Sequence, residues 1–138
     1  MQPHITVISL GVDDLDRALA FYRDGLDLAT EGIVGAEFEN GAVAFFPMNP
    51  GLALAVWPRS SMAAEAGIDV SPPSPTEVSL GHNVRSREEV DAIMARAEAA
   101  GATITDPARD RFWGGYSGHF LDPDGHLWEI AWNPAWSV

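Results

Sequence analysis

The hydrophobic and polar positions of the chain predict a strand followed by a capped helix near its start. Residues 5–10 form an apolar run rich in β-branched side chains, which is typical of a strand. Asp14 is suited to cap a helix, and Gly25 is suited to end it. Between them, apolar residues recur at helical spacing, at Leu15, Ala18, Leu19 and Tyr22.

The same order of elements returns in the second half. Residues 78–84 predict a strand, Ser86 and Glu89 predict a capping box, and Gly101 ends the helix that follows. The apolar stripe of this helix consists of Val90, Ile93, Met94 and Ala97. The repetition predicts two related modules.

Short apolar runs after each helix complete the modules. They predict strands at 28–34, 36–39, 43–46 and 52–57, and then at 102–105, 117–121 and 127–132. Each half is therefore predicted to be β-α-β-β-β, and the fold class to be α+β. We expect one domain over residues 1–138, with module one at about 1–57 and module two at about 77–138. A Pro-rich linker at about 58–76 joins them and is expected to hold one helical turn near 62–65.

The segment Asp122-Pro123-Asp124-Gly125 predicts a tight hairpin, because Pro presets one turn dihedral and Gly accepts a positive φ. If Asp122 pairs with His126, then His119 lies opposite Glu129 on the same sheet face. The opposite face is apolar and suited to pack under the helices, with Phe120, Trp128, Ile130 and Trp132.

The residues that share the face of His119 and Glu129 are mostly small. By strand alternation they are Val7, Ser9, Ala53, Ala55, Trp57, Ser79, Gly81, Asn83, Ser117 and Ala131. Such a face favours a roomy small-molecule pocket, although small residues also let a sheet curve or pack closely against another sheet.

Composition limits the chemistry. The 138 residues contain no cysteine and four histidines, so a metal would need His and carboxylate ligands. The net charge of −12 disfavours nucleic acid and anionic membranes, and it would attract a cationic ligand. The chain shows no secretion signal and no apolar stretch of membrane-spanning length, so a cytoplasmic protein is expected.

The paired modules, Phe21-Tyr22 near the end of the first helix and the last hairpin from Asp122 to Glu129 resemble the vicinal oxygen chelate superfamily. This superfamily includes glyoxalases, extradiol dioxygenases, fosfomycin-modifying enzymes and bleomycin-resistance proteins. The resemblance implies a curved, mostly antiparallel sheet around a central cleft, with modules that pair within one chain or across a dimer.

The resemblance also implies four metal-ligand positions, and only one of them keeps a metal-binding side chain. These positions fall on Val7, Ala55, Ser79 and Glu129. Val and Ala cannot bind a metal, and one carboxylate with one Ser hydroxyl is too weak a set for a divalent ion. We therefore expect no metal and no cofactor, and structural or solvent-facing roles for His4, His82 and His126.

His119 and Glu129 are the candidate catalytic pair. A carboxylate beside an imidazole can orient the ring for acid–base chemistry near neutral pH. The pair could equally hold a ligand without chemistry, or form a structural salt bridge.

The candidate ligand-binding residues are Trp57, Ser79, Arg109, Arg111, Trp113 and Tyr116. Four of them belong to the segment 109–116, whose aromatic and Arg side chains surround a Gly pair and could close over a ligand. Alternatively, this segment is a bent edge connection whose aromatic residues complete the core.

Three functions follow from these features. The leading hypothesis is a metal-independent small-molecule-binding protein that resembles bleomycin-resistance proteins and sequesters a drug or metabolite, with a cationic ligand favoured by charge. The alternatives are a glyoxalase-like lyase, isomerase or dioxygenase with an unconventional metal site, and a metal-free enzyme that uses His119 and Glu129. A homodimer is expected, because small curved sheets leave apolar edges and faces to cover.

Overall fold

The computed structural model describes residues 1–138. The chain forms two compact units, Met1–Pro72 and Pro73–Val138. The first unit contains β1 Val7–Val12, α1 Leu15–Ala20, a π-helical turn Phe21–Gly25, β2 Ile33–Val34, β3 Val43–Pro47, β4 Ala53–Pro58 and α2 Arg59–Ala66. The second contains β5 Ser79–Val84, α3 Arg87–Ala99, β6 Thr103–Asp110, β7 Tyr116–Leu121 and β8 Leu127–Trp132.

Each unit holds one four-stranded sheet, and the two sheets have the same topology. The strand orders are β1-β4-β3-β2 and β5-β8-β7-β6. In each sheet the first strand pairs in parallel with the last, and the other pairings are antiparallel. The α+β class and the repeated β-α-β-β-β order are thus confirmed.

Both predicted helix starts are capped as the sequence indicates. The side chain of Asp14 accepts a 2.9 Å hydrogen bond from the backbone N–H of Arg17. Ser86 Oγ accepts one of 3.2 Å from the N–H of Glu89, and Glu89 Oε2 accepts one of 2.9 Å from the N–H of Arg85. These bonds satisfy N–H groups that have no partner within the helix.

Two predicted strands of the first unit are wrong in whole or in part. Residues 36–39 form turns, and within 28–34 only Ile33 and Val34 are in a strand. The reason is long-range pairing: Val34 lies opposite Val43, so the chain must reverse direction in between. Two turn hydrogen bonds achieve this reversal, from the N–H of Phe38 to Gly35 O and from that of Gly41 to Phe38 O.

The linker contains more structure than the sequence predicts. The helical turn expected at 62–65 is an eight-residue helix, Arg59–Ala66, which follows β4 directly. Alanines favour its extension, and Gly67 ends it with a φ of 69°. No helix of the structure has both the length and the apolar character needed to cross a membrane.

The apolar sheet faces pack under the helices in each unit. In the second unit, Phe120 and Trp128 are buried and stack with ring centroids 6.2 Å apart, and Ile130 is buried beside them. Trp132 is half-buried, and the guanidinium of Arg87 lies 5.3 Å from its ring centroid. The predicted apolar face of the last hairpin is confirmed.

Candidate functional site

The last hairpin fixes which side chains can meet. The N–H of Asp122 donates a 3.0 Å hydrogen bond to His126 O, and Gly125 has a φ of 87°. The carboxylate of Asp122 also accepts hydrogen bonds from the N–H groups of Asp124 and His126. This pairing is the predicted one, so the strand register is set as expected.

His119 and Glu129 lie opposite each other in this register. His119 Nε2 is 3.7 Å from Glu129 Oε1, and the two side chains are 27% and 35% exposed. This distance permits an ion pair when the imidazole is protonated, but it exceeds the usual length of a hydrogen bond. The two groups share one face and remain open to solvent.

Asp106, on edge strand β6, approaches the same imidazole from the other side. Its Oδ2 lies 3.6 Å from His119 Nδ1, so the ring stands between two carboxylates. The register between β6 and β7 shifts on both sides of Asp106, which aligns this residue with His119. We did not predict Asp106 from the sequence, where the expected strand ended at residue 105.

Two arginines hold Asp106 in place. Arg109 and Arg111 donate hydrogen bonds of 3.1 and 2.8 Å to its carboxylate. Hydrogen bonds first from Arg109 and then from Arg111 lower the pKa of Asp106 from 3.8 to about 2. Asp106 therefore stays ionised at neutral pH, and the arginine charges are offset within the cluster.

Arg111 has a structural position. Its side chain is 10% exposed and also donates 2.8 Å hydrogen bonds to both Oγ and the backbone O of the buried Ser117. The side chain of Arg109 is 62% exposed, and its hydrogen bonds go to Asp106. The structure thus uses both arginines to organise the site.

A cleft with a volume of about 420 Å³ opens beside Glu129, entirely within the second unit. Its lining residues are Gly81, Asn83, Trp113, Glu129, Ala131, Asn133 and Trp136. Trp113 is the predicted ligand-binding residue that the structure brings to Glu129. Sequence reasoning missed Asn133 and Trp136 because they follow the last predicted strand.

The segment around Trp113 is a compact turn. The N–H of Arg111 donates to Gly115 O at 2.9 Å, and that of Gly114 donates to Arg111 O at 3.0 Å. The indole of Trp113 occupies the space that a side chain at Gly115 would need. The Gly pair therefore lets the Trp113 ring fold back against the turn.

The remaining predicted ligand-binding residues lie in other places. Ser79 shares the sheet face of Glu129 by strand alternation, but it does not line the cleft. Tyr116 lies on the opposite face, where its hydroxyl donates a 2.8 Å hydrogen bond to Asp91 of α3. Trp57 belongs to the first unit, where its indole N–H donates to Asn40 O at 2.8 Å.

The donor groups do not fit the metal site that the resemblance implies. Val7 and Ala55 occupy strands of the first sheet and carry no donor atom, and exposed Ser79 offers only a hydroxyl. No group of three or more His, Asp or Glu residues is arranged to hold a metal ion. The carboxylate of Glu129 therefore has no set of metal-binding partners.

Two other cavities have linings of a different kind. One of about 360 Å³ in the first unit has Glu31 as its single ionisable residue, among Ala29, Thr30, Gly32, Val34, Phe45 and Pro47. The other, of about 470 Å³, lies between α3 and β6 and is lined by Asp91, Met94, Ala95, Glu98, Ile104, Pro107 and Ala108. Neither is lined by a tryptophan or an amide side chain, and neither includes Glu129, so the Glu129 cleft is the better candidate site.

No histidine lines the cleft, and the three besides His119 lie elsewhere. His126 Nδ1 is 2.8 Å from the buried carboxylate of Asp122, which ties the imidazole to the hairpin turn. His82 and His4 are exposed, and partial loss of solvation lowers the pKa of His82. These positions agree with the structural or solvent-facing roles that the sequence favours.

Comparisons with known proteins come from sequence and from structure. The profile of the Glyoxalase/Bleomycin resistance protein/Dioxygenase superfamily matches residues 2–130. A glyoxalase-related enzyme from Fulvimarina pelagi is 38% identical, with a TM-score of 0.84 over 99% of this chain and 92% of that one. A glyoxalase/bleomycin resistance protein/dioxygenase from Nocardioides is 25% identical, with a TM-score of 0.75 over 100% and 91%.

A lactoylglutathione lyase from Agrobacterium tumefaciens shares the fold at 21% identity, with a TM-score of 0.68 over 99% of this chain and 98% of that one. No curated protein matches the sequence.

Proposed function

Because the chain belongs to the glyoxalase/bleomycin resistance protein/dioxygenase superfamily, we propose that it is a metal-independent small-molecule-binding protein. In this role it sequesters a drug or metabolite in the Glu129 cleft. The fold hosts both enzymes and binding proteins, so the function must be argued from the site.

The proposal rests mainly on the residues that surround Glu129. This carboxylate lines a cleft of about 420 Å³ together with two indole rings and two amides. Such a volume and mixture of aromatic and polar groups suit a small organic ligand. The superfamily's other metal-ligand positions carry Val, Ala and Ser, so Glu129 is available to a ligand rather than committed to a metal.

A second candidate function is a metal-free acid–base enzyme, and the position of His119 favours it. The imidazole stands between Asp106 and Glu129, at 3.6 and 3.7 Å. A carboxylate held by arginines could orient the ring for proton transfer. Binding remains the better-supported function, because neither distance is a hydrogen bond and His119 does not line the cleft.

A ligand screen with a cleft-filling variant tests binding. Gly81 lines the cleft, and a Cβ placed there would meet no atom within 4 Å. We expect compounds that raise the melting temperature of the wild type to lose this effect in Gly81→Leu, because the leucine fills the ligand's space. Ala64→Leu adds the same side chain to an exposed site on α2 and should retain it.

The outcome with Gly81→Leu decides where the ligand binds. If hits raise the melting temperature of both variants equally, the cleft is not the binding site. Recovery of a bound compound unchanged after long incubation supports binding, whereas its conversion, abolished by His119→Gln, would support the acid–base enzyme.

Metal independence is tested with the same readout. We expect the EDTA-treated protein to bind its hits as tightly as protein incubated with Ni, Zn, Fe or Mn. A metal that raises the melting temperature of the wild type, but not that of Glu129→Gln, would contradict the proposal and favour the lyase, isomerase or dioxygenase alternative.

A cytoplasmic homodimer completes the proposal. Val7, Val34 and Phe45 of the first unit are each at least 40% exposed, and burial in a dimer would remove these apolar side chains from water. Light scattering during size-exclusion chromatography measures the mass directly. A monomer at micromolar concentration would refute the dimer without affecting the binding proposal.

A further inference from the structure

We propose that the Glu129 cleft selects organic cations, and that Trp136 of the C-terminal tail forms one aromatic wall of this site while Trp113 forms another. The inference rests on the proposed small-molecule function and adds the chemical class of the ligand. It is carried by three lining residues, one anionic and two aromatic.

The charge of the cleft is the first argument. Glu129 is the single ionisable residue among its lining residues, and no cation lines it. The nearby Arg111 is bound to Asp106 and Ser117, so its guanidinium is already paired. An entering cation therefore meets one carboxylate that only the His119 imidazole approaches, at 3.7 Å.

The position of Trp136 is the second argument. After β8, the chain turns at Asn133, whose side chain accepts from the N–H of Ala135 and whose backbone O accepts from the N–H of Trp136. A further hydrogen bond holds the end of the tail, where Val138 O accepts from Arg85 Nε at 3.3 Å. These three hydrogen bonds hold the Trp136 segment beside the cleft.

The exposure of the two indoles is the third argument. Trp136 is 63% exposed and Trp113 is 40% exposed, although tryptophan is costly to leave in water. Packing within the unit therefore leaves a large part of each side chain in water. A ligand seated in the cleft would cover their exposed surfaces.

Indole faces and a carboxylate together recognise organic cations. The ring quadrupole of Trp attracts ammonium and guanidinium groups, and Trp is the best of the aromatic side chains for this contact. Quaternary ammonium ions suit such a site well, because they have little hydration to lose and cannot form competing hydrogen bonds. The overall charge of −12 adds long-range attraction.

A pair of probes with one shape and different charge tests the inference. Choline and 3,3-dimethylbutan-1-ol differ by the replacement of the quaternary nitrogen with carbon. We would titrate each into ¹⁵N-labelled protein and follow the indole N–H signals by NMR, together with benzyltrimethylammonium as a larger cation. We expect both cations to shift the signals of Trp113 and Trp136, and the neutral alcohol to bind at least about tenfold more weakly than choline.

Matched variants assign the effect to the proposed residues. Trp136→Leu should weaken benzyltrimethylammonium binding roughly 3- to 30-fold, whereas Phe38→Leu, at a similarly exposed aromatic residue of the first unit, should not. Glu129→Gln should remove most of the preference for choline over the alcohol. Glu98→Gln makes the same charge change on α3 and should preserve that preference.

The outcomes separate this inference from the proposed function. Equal affinity for choline and its neutral analogue, or binding unaffected by Trp136→Leu, would overturn the organic-cation site while leaving small-molecule binding intact. Neutral or anionic screen hits whose binding is lost in Gly81→Leu, combined with no response to either cation, would also overturn it. Absence of any ligand for the cleft would refute both proposals.

Discussion

The guanidinium of Arg111 donates a 2.8 Å hydrogen bond to the carboxylate of Asp106, five residues earlier in the chain. This contact joins the β6–β7 turn to the edge strand and places Asp106 3.6 Å from His119. The carboxylate thus lies beside the candidate pair, at a position that the sequence did not indicate.

Arg111 should contribute to stability through buried hydrogen bonds. Arg111→Ala removes two bonds to Ser117, which is fully buried, and one to Asp106. We expect a loss of roughly 1 to 3 kcal/mol in the free energy of unfolding, measured in urea. Arg109→Ala removes hydrogen bonds to the same carboxylate from an arginine that is 62% exposed, and should cost less. An equal cost for both variants would contradict this explanation.

Asp106 should make stability depend on acid pH. Its pKa is about 2 in the folded protein and 3.8 without the arginines, so the folded state favours the ionised carboxylate. Its stabilising contribution is therefore fully present above pH 3.8 and is lost as the pH falls towards 2. In urea unfolding at a series of pH values, the wild type should lose its advantage over Asp106→Asn in this range.

The control for this pH dependence is Asp69→Asn, which removes an exposed carboxylate from the first unit. Its stability should follow that of the wild type throughout the acid range. A constant difference between the wild type and Asp106→Asn from pH 5 to pH 2 would contradict the assignment.

Gly118 and Gly81 should respond oppositely to alanine. A Cβ at Gly118 would lie 2.8 Å from Met94 Cε and 3.0 Å from the backbone N of Ala108, so strand β6 must move. We expect Gly118→Ala to cost about 1 to 3 kcal/mol of stability. Gly81→Ala meets no atom within 4 Å and should be neutral or gain up to about 1 kcal/mol.

Thermal or urea unfolding of the two glycine variants checks this contrast. If Gly118→Ala were as stable as the wild type, the close approach of β7 to β6 and α3 would not be a constraint in solution.

Substitutions of Ser86, which caps α3, should lower the free energy of unfolding by different amounts. Ser86→Ala removes the 3.2 Å hydrogen bond from the N–H of Glu89 and should cost about 1 kcal/mol in the free energy of unfolding. Ser86→Asp keeps an acceptor at the helix start and should retain most of the stability. Similar losses in both variants would mean that Ser86 acts by packing rather than by capping.

The fold and the central pair could be predicted because their causes are local. Alternation along two strands and a Pro-Asp-Gly turn fix the pairing of His119 with Glu129, and the caps at Asp14 and Ser86 mark helix starts. The identities of the residues in these short segments are therefore enough to predict the strand register and the helix starts.

Two parts of the candidate site could not be predicted because they depend on contacts outside the predicted elements. Asp106 reaches His119 only where the β6–β7 register shifts, and alternation within one strand does not reveal such a shift. A turn at Asn133 and a hydrogen bond from Arg85 to Val138 O place Trp136 beside the cleft. Neither feature produces a periodic pattern of residues in the sequence.

The sequence by itself determined the repeated β-α-β-β-β order, the register of the last hairpin and the presence of Val7, Ala55 and Ser79 where the resemblance implies metal ligands. Hydrophobic period, turn chemistry and residue identity are properties of short segments. Only the tertiary structure decided that Arg111 is committed to Asp106 and Ser117, that Tyr116 faces α3, and that Trp136 joins Trp113 beside Glu129. These placements depend on long-range strand pairing and on where the chain goes after its last strand, which local patterns do not encode.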